Sequence, residues 1–580
     1  MPAVEDVDVD KIWRALGKWG SYQRRQLIVE MVAIWSCSLH MLSIVFLGYK
    51  PDHECKNAYN SSNGQAHSNN SMSRRFEKCS ITYTTNETGV SIVSTTDCTD
   101  GWRYFDPEPY SEDRSFISEW DLVCERKELA EVSQTLLMLG QGIGAFVFTS
   151  LSDRYGRKRI HIMCHVIIFC VALATAFVPN FTLFAVMRML TGAFQQGTGL
   201  TLSLLLIEMV PRETRGTVEV CSLLFWTTGI AIVTPIAYIF RNLSWRYLQI
   251  CLACLSAWSL IEWWLIDESL RWLIANGRIK EAKAIILRAC KTNKKNFDHV
   301  VSVSGFREYE LNYETKLEVK KDERAVPLTD TMTSNKENGN TKIDMSVKQY
   351  TVIDLVKSKR IFISSLIMWF AWTTNSITYY GIMLISSSLA GNRFLNFFLG
   401  SIVEYPAAAA ELYLITRYGR KPASIIFHTI CGTALIIATI LTTTAGGNSA
   451  MVICSTVFTL IGKFAITGSF STIFLYTHEL YPTNMRNVGV GLSSTAARVG
   501  GMVAPFSRNL AEIAAWSPGL VFGIMCAIVA VTMFWMPETH RYELPQTLEE
   551  CEQWYKENRF HLPCCRKHDV DKTEVDQQMT

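Results

Sequence analysis

Long apolar runs separated by short polar joints dominate the chain. Twelve stretches of about 20 residues can each cross a bilayer. They fall at roughly 27–48, 129–151, 160–178, 182–207, 217–239, 246–266, 361–384, 394–415, 422–443, 450–477, 488–512 and 517–536. The third, Ile160 to Val178, is the weakest. The pattern predicts an all-α, multi-pass membrane protein. The first run is too long for a cleaved signal peptide, follows 26 mostly polar residues and lacks a small-residue cleavage site.

Lys and Arg in the short joints set the orientation. Arg154, Arg157, Lys158 and Arg159 follow the second run, and Arg417, Arg420 and Lys421 follow the eighth. The joints near Asn180 and Gly446 have neither residue type. Arg241, Arg246 and Arg393 weaken this asymmetry without reversing it, so both termini are expected in the cytoplasm. The domains expected are then a cytoplasmic N-terminus (1–26), an N-terminal six-helix bundle (27–266), a cytoplasmic loop (267–360), a C-terminal six-helix bundle (361–536) and a cytoplasmic tail (537–580).

Within the first bundle, residues 49–127 form a large outside loop holding Cys55, Cys79, Cys98 and Cys124 and acceptor sequons at Asn60, Asn69 and Asn86. Four cysteines there suggest two disulfides, with three pairings open. Asn180 and Asn242 match the sequon but lie close to the membrane. In the cytoplasmic loop, the part through about Lys295 reads as helical and basic, and 296–350 as polar and mobile. The other thirteen cysteines fall in spans or on the cytosolic side, where thiols stay reduced. Cys251 and Cys254 read as packing, and Cys564-Cys565 beside Arg566-Lys567 as a palmitoylation candidate.

Composition agrees with a lipid environment. The chain has 580 residues, 49% hydrophobic and only 19% charged, with mean hydropathy +0.13. Its 16 Trp and 29 Phe exceed what a water-facing surface displays. With 56 Lys plus Arg against 53 Asp plus Glu, the net charge of +3 argues against a nucleic-acid partner. No nucleophile–base pair, metal cluster or phosphate loop stands at the spacing an enzyme needs, and no cofactor is expected.

The halves repeat. DRYGRK at Asp153–Lys158 recurs as TRYGRK at Thr416–Lys421, offset by 263 residues. Glu208, Pro211 and Arg215 recur at the same spacing as Glu479, Pro482 and Arg486, offset by 271. DES at Asp267–Ser269 and PET at Pro537–Thr539 close the two halves. Two six-span bundles in parallel repeat match the major-facilitator architecture. Gly156 and Gly419 suit tight turns. Asp153, Arg154, Arg157 and Lys158, with Arg417, Arg420 and Lys421, are placed to bind helix C-termini and carboxylates across the two bundles. With Glu208, Arg215, Glu479 and Arg486 they are the candidate gating set.

Longer strings resemble one family. GKWGSYQR (Gly17–Arg24 in register), EWDLVCE (Glu119–Glu125), LSDRYGRK (Leu151–Lys158) and ESLRWLIANGRIKEA (Glu268–Ala282) are similar to solute carrier family 22, the organic cation, anion and carnitine transporters. So are GKF (Gly462–Phe464) and YTHELYPTNMRNVGVGLSSTAARVGG (Tyr476–Gly501). The resemblance covers about 11–545 except the polar insert, and the cation/carnitine members look most alike. It implies a plasma-membrane carrier of small organic ions working by alternating access, with sodium or proton coupling open. Thr149 stands where the first motif usually has Gly, and Leu270 where the family usually has Pro. Thr198-Gly199 replaces the Asn-Tyr pair of carnitine-type members, which counts against sodium-coupled carnitine uptake.

Charges inside spans are costly, about 2.5–3.5 kcal/mol each at mid-membrane, and are functional candidates by default. Arg498 lies midway along the eleventh run among Ser493, Ser494, Thr495, Ala496 and Ala497. The resemblance implies Asp at this position in cation-selective members and Arg in anion and carnitine members. Arg498 is therefore expected to meet a substrate carboxylate, or else to pair structurally with Glu404 or another buried carboxylate. Glu404 and Lys463 are the other charges of that half, Arg188 and Glu262 those of the first, and His40 reads as a packing residue. Trp372 and Tyr379 are seven apart and share a helix face. With Tyr380, and Trp226 on the fifth run, they could hold a quaternary ammonium, worth about 0.5–2 kcal/mol. Zwitterions or anions fit Arg498 best. The alternatives are a cation carrier in which Arg498 is structural, a sugar carrier, and a non-transporting receptor.

Overall fold

Lys and Arg are sparse through most of the long helices, and hydrogen-bonded helix is what lets a backbone cross lipid. The computed structural model describes residues 8–56, 72–87, 90–98, 101–105, 114–311, 355, 358–386, 391–482, 485–540 and 548–557. It divides into two units, Met1–Val347 and Lys348–Thr580. Among the described residues, nine helical stretches are long and apolar enough to cross a membrane. Ser21–Leu47, Cys124–Tyr155, Arg157–Thr175, Arg212–Ile239 and Trp245–Leu265 lie in the first unit. Arg393–Arg417, Arg420–Thr444, Ser449–Leu480 and Ser517–Trp535 lie in the second.

The three remaining runs of the sequence reading coincide with helices Phe181–Glu208, Lys359–Ile385 and Arg486–Val503. All three are diluted, the first by Arg188, Gln195 and Gln196, the second by Thr373, Thr374 and Asn375, and the third by Arg486, Arg498 and its Gly and Ser residues. Those same helices carry most of the candidate site.

Local chemistry fixes the helix ends. Gly156 (φ 109°) and Gly419 (φ 101°) break the chain between consecutive helices in a conformation other residues rarely reach. The Asn180 carboxamide caps Phe181–Glu208 by accepting from Leu183 N at 2.9 Å. Asn242 accepts from Arg114 Nη2 at 2.8 Å. Both near-membrane sequons therefore have structural uses. Helices Lys127–Tyr155 and Phe181–Glu208 pack backbone to backbone. A Cβ at Gly140 would stand 2.0 Å from the Met189 carbonyl oxygen, and one at Gly192 the same distance from that of Leu137.

Three expectations need correction. The loop after the first span is not free of regular structure, so the all-α reading applies to the helical body alone. Asp52–Cys55 pairs antiparallel with Trp102–Phe105, and Met72–Phe76, Ser80–Glu87 and Val90–Asp97 form an antiparallel meander. Its Thr- and Val-rich alternation (ITYTT, VSIVSTT) suits a pleated surface. The open pairing resolves as Cys55–Cys98 and Cys79–Cys124. Asn86 lies on the second strand of the meander, while Asn60 and Asn69 fall outside the described residues, as do Cys564 and Cys565. Cys251 and Cys254 are free thiols.

Second, residues 8–26 are part of the fold. Helix Val9–Leu16 buries Ile12, Trp13 and Leu16 against Leu273, Ile286 and Phe306 of the segment after the sixth span. Asp10 takes ion pairs from Arg271 (2.7 Å), Arg212 (3.3 Å) and Arg215 (3.5 Å). Third, that segment stays helical past Lys295, through Phe297–Val303, because Val300, Val301 and Phe306 complete the same core.

Candidate substrate-binding site

In the second unit, Tyr379 and Tyr380 end the polar stretch of Lys359–Ile385, and Glu404 opens helix Glu404–Arg417. Lys463 lies midway along Ser449–Leu480. The Lys463 ammonium sits 2.8 Å from Glu404 Oε1, both side chains fully buried. Tyr379 donates its hydroxyl to the same oxygen at 2.7 Å, and Lys463 Nζ lies 3.1 Å from the centre of the Tyr379 ring. Tyr380 meets Tyr379 edge-on at 5.1 Å. It is within electrostatic reach of both Arg498 and Glu404. Arg498 is half-buried on Arg486–Val503, whose close approach to Lys359–Ile385 depends on Gly500. A Cβ at Gly500 would lie 2.6 Å from the Thr373 carbonyl oxygen.

Five residues separated by up to 119 positions thus form one cluster. These five residues bring together the Glu404 carboxylate, the Lys463 ammonium paired with it and the Arg498 guanidinium. Trp372 stands at the edge. Its indole donates to Thr477 Oγ1 at 2.8 Å and its ring packs on Phe470 (6.0 Å), which also touches Tyr379 (5.9 Å). Trp226 belongs to the first unit, against a core that includes Leu27, Met31 and Leu202. The sequence reading missed a neighbouring polar group. His428 Nε2 is 2.9 Å from Asn375 Oδ1, and Asn375 Nδ2 donates to Ser469 Oγ at 3.2 Å. Asn375 lies four residues before Tyr379, one helical turn, a spacing that could have flagged it.

In the first unit, Arg188 donates to the His40 carbonyl at 2.9 Å and to Gln134 Oε1 at 2.6 Å. The His40 ring is 2.8 Å from Ser256 Oγ. Glu262 lies elsewhere, 2.8 Å from His165 Nδ1.

The repeated motifs form matching networks within each unit. Arg157 pairs with Asp153 (2.9 Å) and approaches Glu208 (3.7 Å), which also accepts from the Ser269 hydroxyl. Glu268 accepts from Lys158 N at 3.0 Å, and burial holds its carboxyl above the ordinary range. In the second unit Arg420 pairs with Glu479 (2.7 Å), Thr539 donates to Glu479 at 2.6 Å, and Glu538 accepts from Arg420 N and Lys421 N. Each carboxylate caps a helix N-terminus at the glycine turn. Arg154 lies over the Tyr155 ring, Arg417 is exposed, Arg215 meets Asp10, and Arg486 is half-buried.

The family model for sugar (and other) transporters matches residues 92–554. A Drosophila melanogaster organic cation transporter protein is 31% identical over 94% of this chain and 95% of its own length. Solute carrier family 22 member 6-A of Xenopus laevis is 30% identical over 93% of each chain. The chain belongs to the sugar (and other) transporter family, among its solute carrier family 22 members. Such relatives are transporters, not enzymes. The partially occluded, inward-open xylose transporter of E. coli overlays with TM-score 0.57 at 13% identity, covering 90% of this chain and 100% of its own. That likeness gives the fold, the major-facilitator transporter fold. A multi-pass membrane transporter of small organic ions is what this membership implies.

Proposed function

We propose that this solute carrier family 22 member moves small organic anions or zwitterions such as carnitine across the plasma membrane by alternating access. The observation that carries the reading is Arg498, a cation inside an apolar run on the helix packed against the one presenting Tyr379 and Tyr380. Lys463 and Glu404 pair at 2.8 Å, and Arg498 adds a guanidinium within electrostatic reach of Tyr380. In a low-dielectric pocket that charge attracts a carboxylate and opposes a simple cation. Tyr379, Tyr380 and Trp372 supply aromatic faces for the other end of a zwitterion.

The same proposal includes twelve spans in two six-helix bundles, cytoplasmic termini, and an outside, glycosylated loop after the first span. The glycine-turn networks would hold one state shut and release it when the bundles rock, and uptake would be driven by sodium or proton coupling, the first of which the assay tests directly.

The test is uptake of labelled carnitine and labelled tetraethylammonium in cells expressing the chain, with and without sodium. Carnitine should enter and the cation be excluded, and Arg498→Ala should lower carnitine uptake at least about tenfold, equal to about 1.4 kcal/mol. Robust cation uptake with carnitine inert would refute the proposal and leave Arg498 a structural residue.

A further inference from the structure

We infer that the first unit carries a buried binding site for a first-row divalent transition metal, zinc foremost, formed by His161, His165 and Glu262. His161 and His165 are four apart on helix Arg157–Thr175 and so share a face. Glu262 comes from helix Ser259–Leu265, and Glu30 from Ser21–Leu42. All four side chains are fully buried. One donor atom from each of the two histidines and Glu262 lies within 4.8 Å of the others.

The hydrogen bonds fix which ring nitrogens face the site. His161 Nδ1 is 3.3 Å from the Thr198 carbonyl, which can only accept, so that nitrogen bears the proton. The opposite nitrogen, Nε2, then points a lone pair at Glu262 Oε2 across 3.5 Å without a hydrogen bond. His165 places Nδ1 2.8 Å from that same oxygen and Nε2 2.8 Å from Ser36 Oγ. Both rings are thus held from behind, His161 by a carbonyl and His165 by a hydroxyl, as metal-ligating histidines are.

Unmet polar atoms supply the second argument. Among the described residues, Glu262 Oε1 and both carboxylate oxygens of Glu30 make no hydrogen bond, although fully buried. Glu30 lies within electrostatic reach of Glu262. A fully buried carboxylate with an unpartnered oxygen needs compensating charge. One divalent cation beside two neutral imidazoles supplies it to Glu262 and gives Oε1 a partner. Two nitrogens and carboxylate oxygen form a donor set suited to zinc. Tetrahedral bonds of about 2.0–2.2 Å put donor atoms roughly 3.3–3.5 Å apart. His161 Nε2 and Glu262 Oε2 already stand at 3.5 Å, and the His165 contact needs to open by only a fraction of an ångström. The bound ion would tie helix Arg157–Thr175 to helix Ser259–Leu265.

The other grouping of histidine and cysteines, His53 with Cys79 and Cys124, offers no such site because its two sulfurs form a disulfide.

The test uses the full-length transporter, purified without a polyhistidine tag, stripped with chelator and titrated with cobalt(II) as a spectroscopic probe. One equivalent should bind with the visible absorption of tetrahedral nitrogen–oxygen coordination, and zinc should displace it. Zinc should also raise the thermal midpoint of the wild type but not of His161→Gln/His165→Gln. Ser36→Ala, which keeps every ligand, should weaken cobalt binding about 10–100-fold. Well under one equivalent bound by the folded wild type would overturn the inference, the carboxylates being neutralised by protons instead. Binding unchanged in both variants, or a thiolate charge-transfer band, would overturn it by placing the metal elsewhere.

Discussion

Removing one partner of the Lys463–Glu404 pair tests whether this contact braces the second unit. At 2.8 Å and an effective dielectric of about 20, the Coulomb attraction is roughly 6 kcal/mol. It offsets the cost of taking two charges out of water, which is several kcal/mol per ion. Lys463→Met removes the cation that faces the buried Glu404 carboxylate, and Glu404→Gln leaves Lys463 buried without its carboxylate. Each single change should therefore cost about 3–5 kcal/mol. The double variant removes both charges and should cost about 1 kcal/mol or less, giving a coupling energy of at least roughly 5 kcal/mol. Thermal unfolding of detergent-purified protein reads this out. At roughly 2–4 °C per kcal/mol for a unit of this size, each single variant should fall by about 10 °C, with the double variant near wild type. Additive losses of about 1 kcal/mol each would refute the reasoning, because an interacting buried pair cannot behave as two independent sites.

Gly140→Val and Gly192→Val should each destabilise by about 1–3 kcal/mol, since their side chains would meet backbone atoms at 2.0 Å, whereas Gly142→Ala should be neutral because nothing lies within 4 Å. Thermal midpoints of the three variants check this. Cys55→Ser/Cys98→Ser opens a loop of 43 residues and should cost up to about 4 kcal/mol of loop order. Limited proteolysis of intact cells should then cut near the Ser80–Glu87 strand faster than in the wild type. Gly500→Val should push Arg486–Val503 away from Thr373 and reduce uptake together with stability, whereas Arg498→Ala should reduce uptake of carboxylates while leaving the thermal midpoint within a few degrees. Parallel uptake and melting measurements separate the two.

Much of the protein is legible in the chain itself. A bilayer leaves the backbone only helix or closed barrel, so runs such as 422–443 and 450–477 announce helices Arg420–Thr444 and Ser449–Leu480 directly. The doubled R-Y-G-R-K string exposes the repeat because its glycine must take a positive φ and its flanking groups must cap a helix. Arg498, Glu404 and Lys463 stand out because a charge in an apolar run is costly. Which charge meets which is not legible. Glu404 and Lys463 are 59 residues apart in the chain, and only helix packing brings them to 2.8 Å. The strands of the first loop escape a reading tuned to long apolar runs, because their alternation is short and polar. Glu30 and His161 are single polar residues in apolar runs, and what they face depends on the rotation of three helices about their own axes. The residue pattern specifies that a helix forms and which positions resist lipid, whereas packing alone decides which buried groups become neighbours.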